Sequence, residues 1–164
     1  LTGESKEVGK EMFTTLSTFT RSLYINSNQK FLLSDTVGFV NKLPAYMIDA
    51  FKSTLHELVF SKLILLVIDV SQTIKKIRIN VNSCLHIINE LQIPSTKILY
   101  LLNKIDLTTV DNAYEKAKML DLKYPNNIVL PISAKTGYNV NKILDLIDML
   151  VYGNNLEIQN NGYL

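Results

Sequence analysis

Ile98-Leu99-Tyr100-Leu101-Leu102-Asn103-Lys104-Ile105-Asp106 decides the fold. Its apolar half has no polar alternation, the pattern of a strand covered on both faces, and such strands belong to parallel sheets. The run then ends abruptly in Asn, Lys and Asp. Leu63 to Val70 is a second run of this kind, and Ile128-Val129-Leu130-Pro131-Ile132 is a third, ending in Ser133-Ala134-Lys135. Between them apolar residues return at helical spacing: Ile74, Ile77, Val81, Cys84, Leu85, Ile88 and Leu91; Ala113, Ala117, Leu120 and Tyr124; Val140, Ile143, Leu144, Ile147 and Val151. Strand and helix therefore alternate with short connections. This predicts an α/β fold with a mainly parallel sheet, right-handed crossovers and helices on both faces. Ligands in such folds sit beyond the carboxyl ends of the strands, where the polar clusters fall.

Upstream, Leu32-Leu33-Ser34-Asp35-Thr36-Val37-Gly38 repeats the scheme of an apolar run ending in an acid, with a glycine three positions on. Arg21 to Ile25 and Lys30 to Ser34 flank the turn-type tetrad Asn26-Ser27-Asn28-Gln29 and predict a β-hairpin. Leu1 to Lys10 reads as the end of a helix running into a loop, and the hydroxyl-rich Glu11 to Thr20 as a loop. Pro44 suits the first turn of a helix whose apolar face is Ile48, Phe51, Leu55 and Leu58. Residues 1–151 are expected to form one domain, and residues 152–164, Asn-rich and without periodicity, a tail or linker.

Composition narrows the function classes. Of 164 residues, 47% are hydrophobic and 20% charged, as in an ordinary globular domain. Seventeen Lys and Arg against fifteen Asp and Glu leave a net charge of +2, too small a field to argue by itself for nucleic acid or a membrane surface, and neither DNA nor a membrane is expected as a partner. The lone Cys84 excludes an internal disulfide and a cysteine-rich zinc site. It fits a reducing compartment, cytoplasmic or organellar. No apolar run reaches the roughly 18 residues of a membrane span. His56 and His86 lack a second ligand at metal spacing, and Lys75, Lys76 and Arg78 read as a solvated face. The first residue is Leu1 and not Met.

The polar clusters carry specific chemistry. A carboxylate such as Asp106 accepts from two neighbouring N–H groups of guanine, a pair adenine does not offer. Lys104 can lay its aliphatic stem over the base, and Asn103 can tie neighbouring loops together. Two charge-assisted bonds of about 1.5–3 kcal/mol each give at least about 100-fold base discrimination. At Ser133-Ala134-Lys135, small residues let a backbone amide approach the base oxygen. Asp35 suits Mg²⁺ held through water, and the amide of Gly38 can approach a terminal phosphate unobstructed. Thr15 offers a further Mg²⁺ ligand when a triphosphate is bound. Each motif alone also reads as a plain strand-end turn; their order gives them weight.

Taken in order, D-x-x-G, N-K-x-D and S-A-K resemble the TRAFAC-type GTPases. Asp35-Thr36-Val37-Gly38-Phe39-Val40-Asn41-Lys42-Leu43-Pro44, followed by Ala50-Phe51-Lys52-Ser53-Thr54-Leu55, is similar to the second switch and following helix of the HflX subfamily. Phe13-Thr14-Thr15-Leu16, with Thr20-Arg21, resembles its first switch. The resemblance covers about residues 1 to 150. It implies a Ras-like fold, binding of GTP and GDP, GTP hydrolysis with Mg²⁺, and association with the large ribosomal subunit. Asp35, Gly38, Asn103, Lys104, Asp106, Ser133, Ala134 and Lys135 would then bind the nucleotide, and Thr15 and Asp35 the metal.

The sequence departs from the family at two places. Ser17-Thr18-Phe19 stand where the first switch ordinarily reads Asp-Pro-Thr. The phosphate loop G-x-x-x-x-G-K-[ST] does not precede that switch: Gly3 and Gly9 enclose five residues instead of four, and Glu11 replaces the Ser or Thr ligand. The first strand, the phosphate loop and most of the first helix are therefore expected to be missing. In the Ras-like order that strand is central, between Lys30–Ser34 and Leu63–Val70, so both should show unpaired edges. Phe39 stands where many GTPases carry a water-orienting Gln, and no catalytic side chain is assigned. The alternative reading is a degenerate, non-hydrolysing adaptor that binds a ribosome or a protein.

Overall fold

The computed structural model describes residues 19–25, 29–35, 58–122 and 127–153. Two strands come first, β1 (Phe19–Ile25) and β2 (Gln29–Asp35), paired antiparallel from Phe19↔Asp35 to Ile25↔Gln29. The hairpin expected from the turn tetrad is present, and it begins two residues earlier than the polar composition suggested. Thr20 and Ser34 face each other across it with their hydroxyl oxygens 2.8 Å apart. The cross-strand partner explains how hydroxyl-bearing residues enter a strand here.

The second sheet has three parallel strands in the order β3-β4-β5: β3 (Ile64–Asp69), β4 (Ile98–Asn103) and β5 (Ile128–Pro131). Three helices connect and cover them: α1 (Ile74–Glu90), α2 (Val110–Met119) and α3 (Val140–Tyr152). Alternation along β4 shows why its sequence lacks polar residues. Ile98, Tyr100 and Leu102 pack with Ile77, Val81 and Ile88 of α1 and Ala113 and Ala117 of α2. Leu99 and Leu101 pack with Ile143 and Ile147 of α3. Both faces are covered, as a parallel strand requires. Pro131 is tolerated because β5 is an outer strand of this sheet, where a missing N–H costs no central ladder bond.

Cys84 belongs to the α1 core, and burial pushes its thiol up to about 11 from 9.0. It is a packing residue with little thiolate at neutral pH. Among the described residues no helix is long and apolar enough to cross a membrane.

α2 stops earlier than its apolar pattern. Asp121 adopts φ 52°, and the Leu122 amide donates back to the Ala117 carbonyl at 3.1 Å. This is a Schellman-type end with Asp in the place glycine usually takes. It turns Leu122 into the core. Leu58 is helical, while Ile48, Phe51, Leu55 and Tyr124 lie outside the described residues. Of the expected tail 152–164, Tyr152 is the last residue of α3, and the residues from 154 lie outside the described ones.

No ladder joins β2 to β3 among the described residues; the two sheets are separate. The break falls where unpaired edges were expected. A cavity of about 1600 Å³ occupies it, lined by β2, β3 and side chains of both apolar clusters. At one end, the Tyr152 hydroxyl donates to the Lys30 carbonyl at the start of β2 (3.2 Å), and Lys62, just before β3, lies 5.8 Å from the Tyr152 ring centre. Asp35 and Asp69 end the two strands and line the same cavity. Val67, in the middle of the open edge, is 56% exposed although its neighbours Leu66 and Ile68 are buried. Gln72, another lining residue, leaves its Oε1 buried and without a hydrogen bond.

Candidate functional site

The site grows from the last residues of β3, β4 and β5. Parallel register sets Asp69 beside Asn103 and Leu102 beside Pro131, so three strands deliver their polar ends together. Past the strands the backbone stays locked. The Ile132 amide donates to the Leu102 carbonyl (2.9 Å), the Ile105 amide to the Ile132 carbonyl (3.3 Å), and the Val70 amide to the Asn103 carbonyl (3.1 Å).

Asp106 sits in a single 3₁₀ turn, Ile105–Leu107. The Ser133 hydroxyl donates to its Oδ1 at 2.7 Å. Ser133 is fully buried, and its Oγ also accepts from the Thr136 amide at 3.2 Å. A buried hydroxyl with both roles filled holds the carboxylate at a fixed angle. A carboxylate has about four acceptor positions, so most of Asp106 stays available to a ligand, and the residue is exposed.

Asn103 accepts from the Ala134 amide through Oδ1 at 3.0 Å, which ties the loops after β4 and β5 together. One backbone amide of the Ser133-Ala134-Lys135 stretch is thus engaged by Asn103 in this structure. The loop after β5 closes on itself: the Ser133 amide donates to the Tyr138 carbonyl (3.1 Å) and the Gly137 amide to the Ser133 carbonyl (2.9 Å). Gly137 has φ 82°, which suits glycine. Asn139, also left-handed at φ 56°, donates from Nδ2 to the Pro131 carbonyl (2.9 Å).

Lys104 has φ 71° and ψ 35°, a left-handed conformation that costs a residue with a Cβ about 1–2 kcal/mol. Its ammonium lies 2.7 Å from Asp69 Oδ2. Asp69 also accepts from the Ser71 amide (3.1 Å), the Ser71 hydroxyl (2.6 Å) and Gln72 Nε2 (3.1 Å). Desolvation pushes its pKa up, but the bonds from Lys104, Ser71 and Gln72 outweigh it and bring the carboxyl down to about 2. It is a fixed anion at neutral pH. The loop carrying Ser71 and Gln72 is pinned in turn by Lys116 of α2, which donates to the Val70 carbonyl (2.8 Å) and the Gln72 carbonyl (3.0 Å).

Of the residues singled out in the sequence, Asn103, Lys104, Asp106, Ser133 and Ala134 come together in one cluster. Lys135 is exposed beside them. Asp35 lines the cavity that Asp69, Asn103 and Ala134 also line. Thr15 and Gly38 lie outside the described residues, as does Phe39. Sequence reasoning passed over Asp69, Gln72 and Lys116. Asp69 had a signal, since it ends a buried run as Asp35 does, while Lys116 had none.

The family model described as "50S ribosome-binding GTPase" matches residues 1–104. A GTPase HflX of Methanocaldococcus jannaschii is 37% identical over 159 residues, covering 96% of this chain and 38% of the relative. A GTPase HflX of Thermococcus kodakarensis is 35% identical over 156 residues, covering 92% of this chain and 35% of the relative. The chain thus spans little more than a third of the length of these relatives. Among solved structures, a GTP-binding protein from Sulfolobus solfataricus in complex with GDP superposes with a TM-score of 0.70 at 32% identity, over 82% of this chain and 44% of that one.

Proposed function

Because this chain belongs to the 50S ribosome-binding GTPases, in their HflX branch, we propose that it is the base-reading part of a ribosome-associated G domain that binds GTP and GDP and hydrolyses GTP. The observation that carries this reading is the Asp106 carboxylate, held by the buried Ser133 hydroxyl at 2.7 Å and flanked by Asn103 and Lys104. Guanine is the purine that offers two adjacent donors to such a fixed acceptor. Charge-assisted bonds made without reorientation keep most of their strength.

In this proposal Asp106 accepts from the base edge, the Lys104 stem covers one face, and Asn103, Ser133 and Ala134 hold the loops in register. Lys135 flanks the base site, and Gly38 serves the terminal phosphate. Mg²⁺ would be held by Asp35, through water, and by Thr15. One exposed carboxylate lining the cavity fits this ion, which takes one or two carboxylates together with phosphate oxygens and water. When bound it neutralises phosphate charge. No side chain is assigned to orient the attacking water. The large ribosomal subunit is the proposed partner, and the cytoplasm or an organelle interior the proposed location.

The test is phosphate release by the full-length natural polypeptide with Mg²⁺ and either GTP or ATP. Release from GTP alone, abolished by a chelator, is the expected result. Nucleotide binding without release would favour the adaptor reading, and equal release from ATP would contradict the base assignment.

A further inference from the structure

Asp69 has no part in the reading above, yet four donors converge on it: the Lys104 ammonium, the Ser71 amide, the Ser71 hydroxyl and Gln72 Nε2. Three of these come from its own following loop, and that loop is clamped to α2 by Lys116. The fourth comes from the base-reading tetrad. Asp69 and Asn103 are register partners, so the carboxylate stands one strand away from the start of that tetrad.

We propose that Asp69 is a positioning residue for base recognition: by holding the Lys104 ammonium it fixes the lysine's aliphatic stem as a flat apolar cover for the purine ring. The proposal deepens the guanine reading and rests on it.

Three observations support the assignment. A lysine side chain carries large rotamer entropy, and a lysine 48% exposed would ordinarily keep it by moving in solvent. Here its head is tied down, although an exposed ion pair by itself adds little stability. Second, Lys104 is held in a left-handed conformation at the same time, and local strain of this sort marks positions set for a task. Third, the anchor is itself rigid. The acceptor is only 24% exposed, and the loop behind it is fixed to α2 through Lys116. A freely moving lysine would have to be ordered by each incoming nucleotide, whereas a lysine ordered in advance does not impose that loss on binding.

The role differs from that of Asp106. Asp106 meets the base edge and sets which base is chosen. Asp69 acts through Lys104 on the ring face, which guanine, hypoxanthine and xanthine share. Loss of Asp69 should therefore weaken all purine diphosphates alike and leave their ranking unchanged.

The experiment is a double-mutant cycle in the full-length natural polypeptide, with Asp69→Asn, Lys104→Met and the double variant. GDP, inosine diphosphate and inorganic pyrophosphate are titrated by calorimetry, and thermal melts check the fold. Asp69→Asn is expected to weaken GDP and inosine diphosphate by about tenfold each and to leave pyrophosphate unchanged. Lys104→Met, which keeps most of the stem but frees it from the anchor, is expected to lose a similar factor. The double variant should be no weaker than Lys104→Met alone, because the two residues act as one unit. Multiplicative losses in the double variant, or unchanged GDP affinity in Asp69→Asn, would overturn the proposal while leaving the guanine reading intact. If Asp69→Asn does not fold, Lys104→Met still decides: unchanged GDP affinity in that variant overturns it too. Failure of the unaltered polypeptide to bind GDP would overturn both readings.

Discussion

Asp106→Asn should lower GDP affinity by about 100-fold or more and make xanthosine diphosphate the preferred ligand. In the proposed site guanine presents two donors toward Asp106. An asparagine in the same place offers one acceptor and one donor, so one contact becomes donor against donor. Losing charge-assisted bonds of about 1.5–3 kcal/mol each accounts for the size of the effect. Xanthine carries an oxygen where guanine carries its amino group, and so complements the asparagine. The buried Ser133 hydroxyl donates to Oδ1 of Asp106, and the amide oxygen of the substituted side chain can accept the same bond. The fold should therefore survive, with a melting temperature close to that of the unaltered protein. Competition between the two diphosphates in both proteins checks the exchange. Unchanged guanine preference would refute the role given to Asp106.

The second large effect concerns the phosphates. A polypeptide of residues 1–164 alone should bind GDP about four orders of magnitude more weakly than the same residues joined behind a strand, a G-x-x-x-x-G-K-[ST] loop and a helix. About four charge-assisted phosphate contacts, at roughly 1.5 kcal/mol each, make that difference. The joined strand should also protect amides along the facing edges of β2 and β3 from hydrogen exchange. It would fill the cavity of about 1600 Å³ that separates them and cover Val67. Equal GDP affinity for the two polypeptides, measured by calorimetry, would show that the phosphate contribution was misjudged.

The parallel sheet was legible because burial on both faces removes every polar residue from a strand. Leu99 and Leu101 serve one helix layer while Ile98, Tyr100 and Leu102 serve the other, and no alternation remains to be misread. The polar cluster at the strand ends was legible for a related reason. Parallel register carries residues at strand ends to one place whatever their distance in sequence, and Asp106 meets Ser133 across 27 positions. What escaped was set by backbone geometry and by long side chains. The end of α2 depends on Asp121 taking a left-handed conformation that a non-glycine residue does not advertise. Lys116 carried no signal in the sequence, yet it closes two carbonyls on a loop 44 and 46 residues away. Asp69 ends β3 as Asp35 ends β2, a signal passed over because the run was read for its burial alone. The early start of β1 was missed because hydroxyl residues resemble a loop until a partner strand supplies their hydrogen bonds.

In the proposed site, recognition of guanine rests on Asp106 accepting two donors from one base edge. Affinity of the full-length natural polypeptide for GDP, inosine diphosphate and ADP, measured by calorimetry under one set of conditions, tests this most directly. Inosine diphosphate keeps one of the two donors and ADP offers no matching pair. The expected order is GDP, then inosine diphosphate about tenfold or more weaker, then ADP at least about 100-fold weaker than GDP. Equal affinities for GDP and ADP would contradict that recognition.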